Sequence, residues 1–177
     1  GMQMDYRQTL INMVDRFNVT AVEEFKEIEL KIIADSKSIF KKNKDFDGHI
    51  EKLRKCKRAA QRIDPRSVGV SPADREMAEL KEHLQRCIVI FNGLCDDYIQ
   101  FQTALRAKSS GEEKIKYSEI RHINEKIRCA KANLNEQLIE VNVRYADFNE
   151  LAREEEDEEA LDGVEYMTYE ALKRSDA

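Results

Sequence analysis

Apolar residues recur every three or four positions along most of the chain, with polar residues between them. The first such stripe contains Leu10, Val14, Phe17, Ala21, Phe25, Ile28, Ile32 and Ile39. This spacing places the side chains on one face of an α-helix. Thr20 and Glu23 have the spacing of a capping box. The stripe keeps its phase across them, so we expect one helix with at most a slight kink, reaching about Lys44.

A second stripe runs from Phe46 to Ile63, in step with the first. It stops before Pro65, because proline disfavours helical backbone in the residue that precedes it. The pattern therefore leaves two arrangements open. Residues 4–63 are one continuous helix, or the chain breaks near Asn43 to Gly48 and forms two.

A heptad pattern follows the linker at residues 64–72. Ser71 as N-cap and Pro72 at the first helical position predict where this helix begins. Its apolar residues alternate steps of three and four, which is typical of coiled-coil packing. We expect the packing seam to contain Met77, Leu84, Phe91, Tyr98 and Phe101. The helix is interrupted at Gly111, and Ser110 with Glu113 predicts a capping box for the next one.

The last long stripe runs from Ile120 to Ala152 and precedes an acidic run. These stripes, joined by short connections, predict an all-α fold. We expect an elongated antiparallel helical bundle of three to four long helices with coiled-coil-like packing. Residues 2–153 would form the bundle domain, and residues 154–177 an acidic C-terminal tail with a short amphipathic helix.

Helix lengths bear on self-association. A continuous helix over residues 4–63 would extend beyond its neighbours and expose part of its apolar stripe. A second copy of the chain would cover that surface. The sequence therefore predicts a homodimer under the one-helix arrangement.

The composition agrees with helices: of 177 residues, 41% are hydrophobic and 37% charged, with two prolines and no tryptophan. The six glycines are never clustered, which excludes a glycine-rich phosphate-binding loop. The longest apolar run, Cys87 to Phe91, is far shorter than a membrane span, and no leader sequence is recognisable. The four cysteines lack a CxxC spacing, so we expect buried free thiols and a cytoplasmic protein without a cofactor.

The stretch from Asn43 to Arg54 resembles the calcium-binding loop of the EF-hand family. Its candidate ligands are Asn43, Asp45, Asp47 and Glu51, and Gly48 occupies the sixth position, where the family has a glycine. The resemblance implies a cation site between two helices. Arg54 stands where the family has a bidentate glutamate, however, and a guanidinium repels calcium. We therefore expect a helix-breaking or helix-capping turn, with no bound metal.

Two other sets of residues suggest chemistry. Glu119 and His122 have the Glu-x-x-His spacing of ferritin-like di-iron proteins, but only one copy is present, and the heptad phase points His122 outward. The remaining histidines, His49 and His83, lack a glutamate three positions earlier. No activating partner for a cysteine nucleophile can be placed. We expect a protein that is not an enzyme.

Charge is distributed unevenly along the chain. Residues 37–66 contain 11 Lys or Arg against 4 Asp or Glu, whereas residues 147–177 contain 12 acids against 3 bases. The basic stretch predicts a basic helical face containing Lys52, Arg54, Lys55, Lys57, Arg58 and Arg62. Such a face is either solvated or contacts phosphates of nucleic acid or anionic lipid. The acidic tail has the opposite charge and is a candidate regulator of that face.

These patterns favour a non-catalytic protein–protein interaction or scaffolding protein that self-associates. The alternative is a phosphate-polymer or anionic-membrane binder that uses the basic helix of residues 37–66 and is regulated by the tail. A protein partner fits the long helical faces better, because aromatic residues for base stacking are scarce in the basic stretch. No small-molecule substrate is inferred.

Overall fold

The structure is a computed structural model that describes residues 5–37, 44–111 and 114–155, with side chains as far as residue 150. Its α-helices are α1 (Tyr6–Phe17), α2 (Glu23–Lys37), α3 (Phe46–Gln61), α4 (Arg75–Ser110) and α5 (Tyr117–Glu155). A π-helix spans Asn18–Val22, and a 3-10 helix spans Pro65–Ser67. This part of the chain has no β-strand, so the predicted all-α class is confirmed.

The first helix is continuous from Tyr6 to Lys37, because the π-helix joins α1 directly to α2. The expected continuity is confirmed, and the capping box does not form. The hydroxyl of Thr20 instead donates to the carbonyl of Arg16 at 2.6 Å. The apolar stripe takes two successive steps of four here, one residue more than a heptad allows. A π-helical turn absorbs such an extra residue without rotating the flanking helix faces.

The chain breaks before α3. Lys44 and Asp45 are not helical, and α3 begins at Phe46. The carboxylate of Asp45 accepts a hydrogen bond from the backbone N–H of Gly48 at 3.0 Å, so it caps the helix. Residues 4–63 are therefore not one helix. In the described ranges, the fold is a bundle-like arrangement of four helical elements: the continuous α1–α2 element, α3, α4 and α5.

Two predicted helix starts are wrong. Helix α4 begins at Arg75, not at Pro72, because Ser71 to Asp74 form a turn closed by the Asp74 N–H and the Ser71 carbonyl at 3.0 Å. Asp74 then accepts from the N–H of Met77 at 3.3 Å. At the other end, Ser110 is the last residue of α4 and donates to the carbonyl of Ala107.

The end of α4 requires a glycine. Gly111 has a φ of 72°, a left-handed conformation that closes a helix and that side chains other than glycine resist. Because Ser110 lies inside α4, it does not cap α5, which begins at Tyr117. Glu113, the other half of the predicted box, lies outside the described residues.

The chain divides into two compact units, the first assembled from three segments and the second from two. Unit 1 contains residues 1–15, 64–87 and 133–177, as far as these are described, and unit 2 contains residues 16–63 and 88–132. In unit 1, fully buried residues include Leu10, Val14, Leu80 and Leu84. In unit 2, Phe91 makes edge-to-face contacts with Phe17 and Phe25, with ring centroids 5.5 and 5.6 Å apart.

The seam residues differ in burial. Met77 and Leu84 are buried in unit 1, and Phe91 and Tyr98 in unit 2, whereas Phe101 is partly exposed. In the first stripe, every member from Leu10 to Ile32 is buried. The stripe residues of this segment are therefore covered within the chain, whereas Val19, Leu30 and Ile33, outside the stripe, are exposed.

The ends of the described structure bear on two further expectations. The predicted domain boundary after residue 153 falls inside α5, which continues to Glu155, and the tail beyond it lies outside the described residues. Within the described helices, none combines the length and apolarity needed to cross a membrane.

Candidate interaction groove

A groove in unit 2 separates α3 from the π-helix and α2. It encloses about 730 Å³, within the range of ligand-binding clefts. Ile28 and Cys56 are its most buried lining residues, and Ala59 adds a small apolar side chain beside them. The groove therefore has an apolar floor.

Each wall of the groove is formed by charged or polar residues at helical spacing. The α3 wall contains Lys52, Lys55, Arg58 and Arg62. The opposite wall contains Thr20, Glu24, Glu27 and Lys31. Within each wall the members are three or four positions apart, so they project from one helix face. The second wall lies outside the basic stretch of residues 37–66 and so was not predicted, although the helical spacing of its four residues is visible in the sequence.

The π-helix supplies one end of the groove. Val19 and Thr20 belong to the π-helix and line the groove. The side chain of Val19 is 56% exposed, which leaves an apolar group available for contact. π-Helical turns inside α-helices occur frequently at functional sites. The two successive steps of four in the apolar stripe were the sequence signal for this feature.

The groove is electropositive. Five bases and two acids line it, a net charge of +3. Arg58 forms an ion pair with Glu51 at 3.2 Å. The other four bases, Lys31, Lys52, Lys55 and Arg62, form no ion pair within the described part of the chain, and all four are exposed. Their charges are therefore available to a partner.

The predicted basic face is divided by the structure. Lys52, Lys55, Arg58 and Arg62 line the groove. Lys57 instead forms an ion pair with Asp96 of α4 at 2.8 Å. Arg54 is exposed but does not line the groove. The six bases therefore do not form one continuous surface.

The thiol of Cys56 is not a nucleophile at neutral pH. Burial raises its pKa to about 11, and the charge of Glu24 adds to the shift. A protonated, 3% exposed thiol behaves as a small apolar group. Cys87 and Cys95 are also buried, and burial raises the pKa of both thiols. The expectation of buried free thiols is wrong for Cys129, which is exposed on α5.

The EF-hand-like stretch uses its carboxylates within the fold. Asp45 caps α3 through Gly48, Asp47 forms an ion pair with Arg106, and Glu51 forms one with Arg58. Asn43 lies outside the described residues. The part of the chain that is described contains no group of three or more His, Cys, Asp or Glu residues that could hold a metal ion.

The histidines have separate environments. His122 and Glu119 are both exposed on α5. His83 Nδ1 lies 2.6 Å from the amide oxygen of Gln137. His49 is 5% exposed, and its Nε2 lies 2.8 Å from Asp35 Oδ2. Sequence reasoning missed this last pair, since the partners lie on different helices.

Comparison of the chain with protein-family models, with curated proteins and with solved structures finds no match in any of the three.

Proposed function

We propose that this protein is a non-catalytic interaction module that binds an acidic, amphipathic helix of a partner protein in the groove between α2 and α3. One observation carries the proposal: the unpaired cations Lys31, Lys52, Lys55 and Arg62 surround an apolar floor. Amphipathic helices bind such grooves through apolar residues at positions i, i+3, i+4 and i+7.

The two walls specify which helix fits. Apolar side chains of the partner would contact Val19, Ile28 and Ala59, and burial of this area would supply most of the affinity. Its acidic flank would face the bases of α3. Its flank toward Glu24 and Glu27 must be neutral or basic, because like charges across an interface disfavour binding. Charge thus sets the orientation of the helix.

A catalytic role has little support in the groove. The lining residues that could take part in proton transfer or nucleophilic attack are lysines, arginines, two exposed glutamates and Cys56. The raised pKa of Cys56 keeps it protonated at neutral pH. A cytoplasmic location, expected from the free thiols, is compatible with a binding role.

A second copy of this chain is the other partner to consider. A homodimer was expected because one helix over residues 4–63 would expose apolar surface, but the chain is not helical at Lys44 and Asp45. A foreign partner is therefore favoured over a second copy. Light scattering after size exclusion should give the monomer mass at low and high salt.

The alternative partner is a phosphate polymer or an anionic membrane, again bound by the bases of α3. Glu24 and Glu27 disfavour this alternative, because they would face phosphates directly across the groove. In that case the acidic tail would compete with phosphate for the same bases. Replacing the acidic residues 154–159, five glutamates and Asp157, with the corresponding amides would then increase binding to DNA or to anionic vesicles.

The direct test uses a fluorescent peptide of about 20 residues with leucines on one helical face and glutamates on one flank. Anisotropy should show binding to the full chain. The double variant Lys52→Glu/Lys55→Glu should weaken binding by about tenfold or more. The matched control Lys114→Glu/Lys116→Glu makes the same change in net charge at exposed positions away from the groove, and it should bind normally.

Two comparisons complete this test. A peptide with lysines in place of the glutamates should not bind, and filling the groove with Ala59→Phe should abolish binding of the acidic peptide. Equal weakening by both charge variants would indicate non-specific attraction and reject the groove. Tighter binding of duplex DNA than of the peptide would favour the phosphate alternative.

A further inference from the structure

A second cavity in unit 2 shares no residue with the groove. It lies between α2, the beginning of α3 and the last turns of α4, and encloses about 420 Å³. Ile32, Phe46, Phe101 and Leu105 form its apolar lining. The last three are partly exposed although they belong to helical apolar stripes. Partly exposed apolar side chains that converge on a concave site are typical of small-molecule pockets.

A buried amide lines the same cavity. Gln102 is 2% exposed, and its side chain forms no hydrogen bond with another described residue. The buried, unpaired polar side-chain atoms of the described residues are His49 Nδ1 and Asn92 Oδ1, so the amide atoms of Gln102 retain access to the cavity. An amide that lines a cavity and has no partner among the described residues is available to hydrogen-bond a ligand.

Two ammonium groups also line the cavity. Lys44 and Lys108 are partly buried at the cavity. The Nζ atom of Lys108 lies 3.3 Å from the centroid of the Tyr117 ring, a cation–π contact that restricts its position. Lys44 forms no ion pair within the described residues.

Asp35 is the acid among the lining residues. Its Oδ2 atom lies 2.8 Å from Nε2 of the buried His49. One of its oxygens is therefore already engaged. The cavity presents more positive than negative groups, and it favours an anion over a cation.

We propose that this cavity binds a small carboxylic acid with an aromatic or branched apolar body. The body would contact Phe46, Phe101 and Leu105, the carboxylate would bind Lys44 and Lys108, and Gln102 would donate to a carboxylate oxygen. The volume lies at the lower end of the range for ligand pockets, which favours a single ring with a short acidic chain over a nucleotide. This site is independent of the groove, so either proposal can fail without the other.

The probe is 4-fluorophenylacetate, observed by fluorine NMR while the full chain is added. We expect its signal to broaden and shift on binding. The neutral analogue 4-fluorophenylacetamide should bind about tenfold more weakly, because it has lost the charge that the lysines recognise. The variant Lys44→Met/Lys108→Met should remove this preference, and the control Lys114→Met/Lys116→Met should keep it.

A second measurement separates a binding role for Gln102 from a structural one. The substitution Gln102→Leu replaces this amide with an apolar side chain of similar size, so the melting temperature should not fall while binding of 4-fluorophenylacetate is lost. If Gln102 only supports packing, the melting temperature should fall. Either that fall, or no signal change at about 10 mM probe, well above weak fragment affinities, overturns the proposal.

Discussion

The hydroxyl of Tyr98 donates a hydrogen bond to Oε2 of Glu29 at 2.5 Å and so joins α4 to α2 across 69 positions of sequence. The same carboxylate oxygen lies 2.9 Å from Nζ of Lys131 on α5. Three helices therefore meet at one partly buried carboxylate. Glu29 is therefore a polar contact that fixes the register of α2 against α4 and α5 in unit 2.

We expect Tyr98→Phe to lower the free energy of unfolding by about 1.5 kcal/mol, the usual value for a hydrogen bond to a charged group. The loss is limited because Lys131 still binds Glu29. Urea denaturation of Tyr98→Phe, Glu29→Gln and the double variant measures the coupling. Strictly additive effects would show that the contact contributes nothing.

The same tyrosine predicts a loss of stability at alkaline pH. Burial, and then the hydrogen bond to Glu29, raise the pKa of Tyr98 in the folded chain. An unfolded tyrosine titrates near pH 10, so above about pH 10 only the unfolded state releases the proton and stability falls as pH rises.

Urea midpoints between pH 8 and 11 measure this dependence. Tyr98→Phe should have a smaller slope than the natural chain. The slope should not vanish, because the pKa of Cys56 is also raised, to about 11, and acts in the same direction. Identical slopes in the two proteins would contradict the assignment of this pH dependence to Tyr98.

Phe91 is the central aromatic residue of unit 2, completely buried against Phe17 and Phe25. We expect Phe91→Ala to lower the free energy of unfolding by about 3 to 5 kcal/mol, because it removes apolar contact and leaves a cavity. Val89, two positions earlier, is 57% exposed and provides the control. Val89→Ala should change stability by less than about 0.5 kcal/mol. A loss of comparable size at both positions would contradict the described core.

The cap of α3 predicts an unusual effect of alanine. Asp45→Ala should cost about 1 kcal/mol, the usual value of an N-cap. Gly48→Ala would ordinarily stabilise a helix by about 0.5 to 1 kcal/mol, but its new Cβ would collide with the capping carboxylate of Asp45. The gain in helix propensity and the loss from this collision should nearly cancel, so Gly48→Ala alone should leave the stability almost unchanged.

The double variant tests that explanation of α3. In the Asp45→Ala background the collision is absent, so Gly48→Ala should be stabilising by about 0.5 to 1 kcal/mol. Thermal unfolding monitored by circular dichroism provides the measurement. A stabilisation of the same size with Asp45 present would show that the carboxylate does not cap the helix.

Arg144 connects α5 to α4 in unit 1. Its guanidinium lies 2.6 Å from Glu79 and 2.7 Å from Glu140, and the hydrogen bond from Arg144 lowers the pKa of Glu79. A depressed pKa contributes stability that is present above the unfolded value, near pH 4.3, and is lost as pH falls through the folded value.

We therefore expect Arg144→Gln to lower the melting temperature by a few degrees at pH 7, and the difference from the natural chain to shrink below about pH 4. The exposed pair of Arg86 and Glu82 is the matched control, since surface ion pairs contribute little. Arg86→Gln should change the melting temperature much less. A difference for Arg144→Gln that persists unchanged into acid would assign the effect to packing.

Some features of the groove were readable in the sequence, and others were not. The bases Lys52, Lys55 and Arg62 follow helical spacing, so their shared face was predictable. Lys57 lies on the same helix but pairs with Asp96. That contact depends on where α4 lies beside α3, which no local pattern specifies. The exposure of Phe101 within a buried seam has the same origin.

The sequence by itself determined the all-helical class, the stripe from Leu10 to Ile32 and the end of α3 before Pro65. These features follow from hydrophobic periodicity and backbone sterics, which act between residues close together in the chain. The pairs His49–Asp35 and Tyr98–Glu29, and the hydrogen bond from Tyr6 to Asp74 at the start of α4, were decided only by tertiary structure. These features depend on contacts between residues far apart in the chain, and such contacts exist only once the helices have packed.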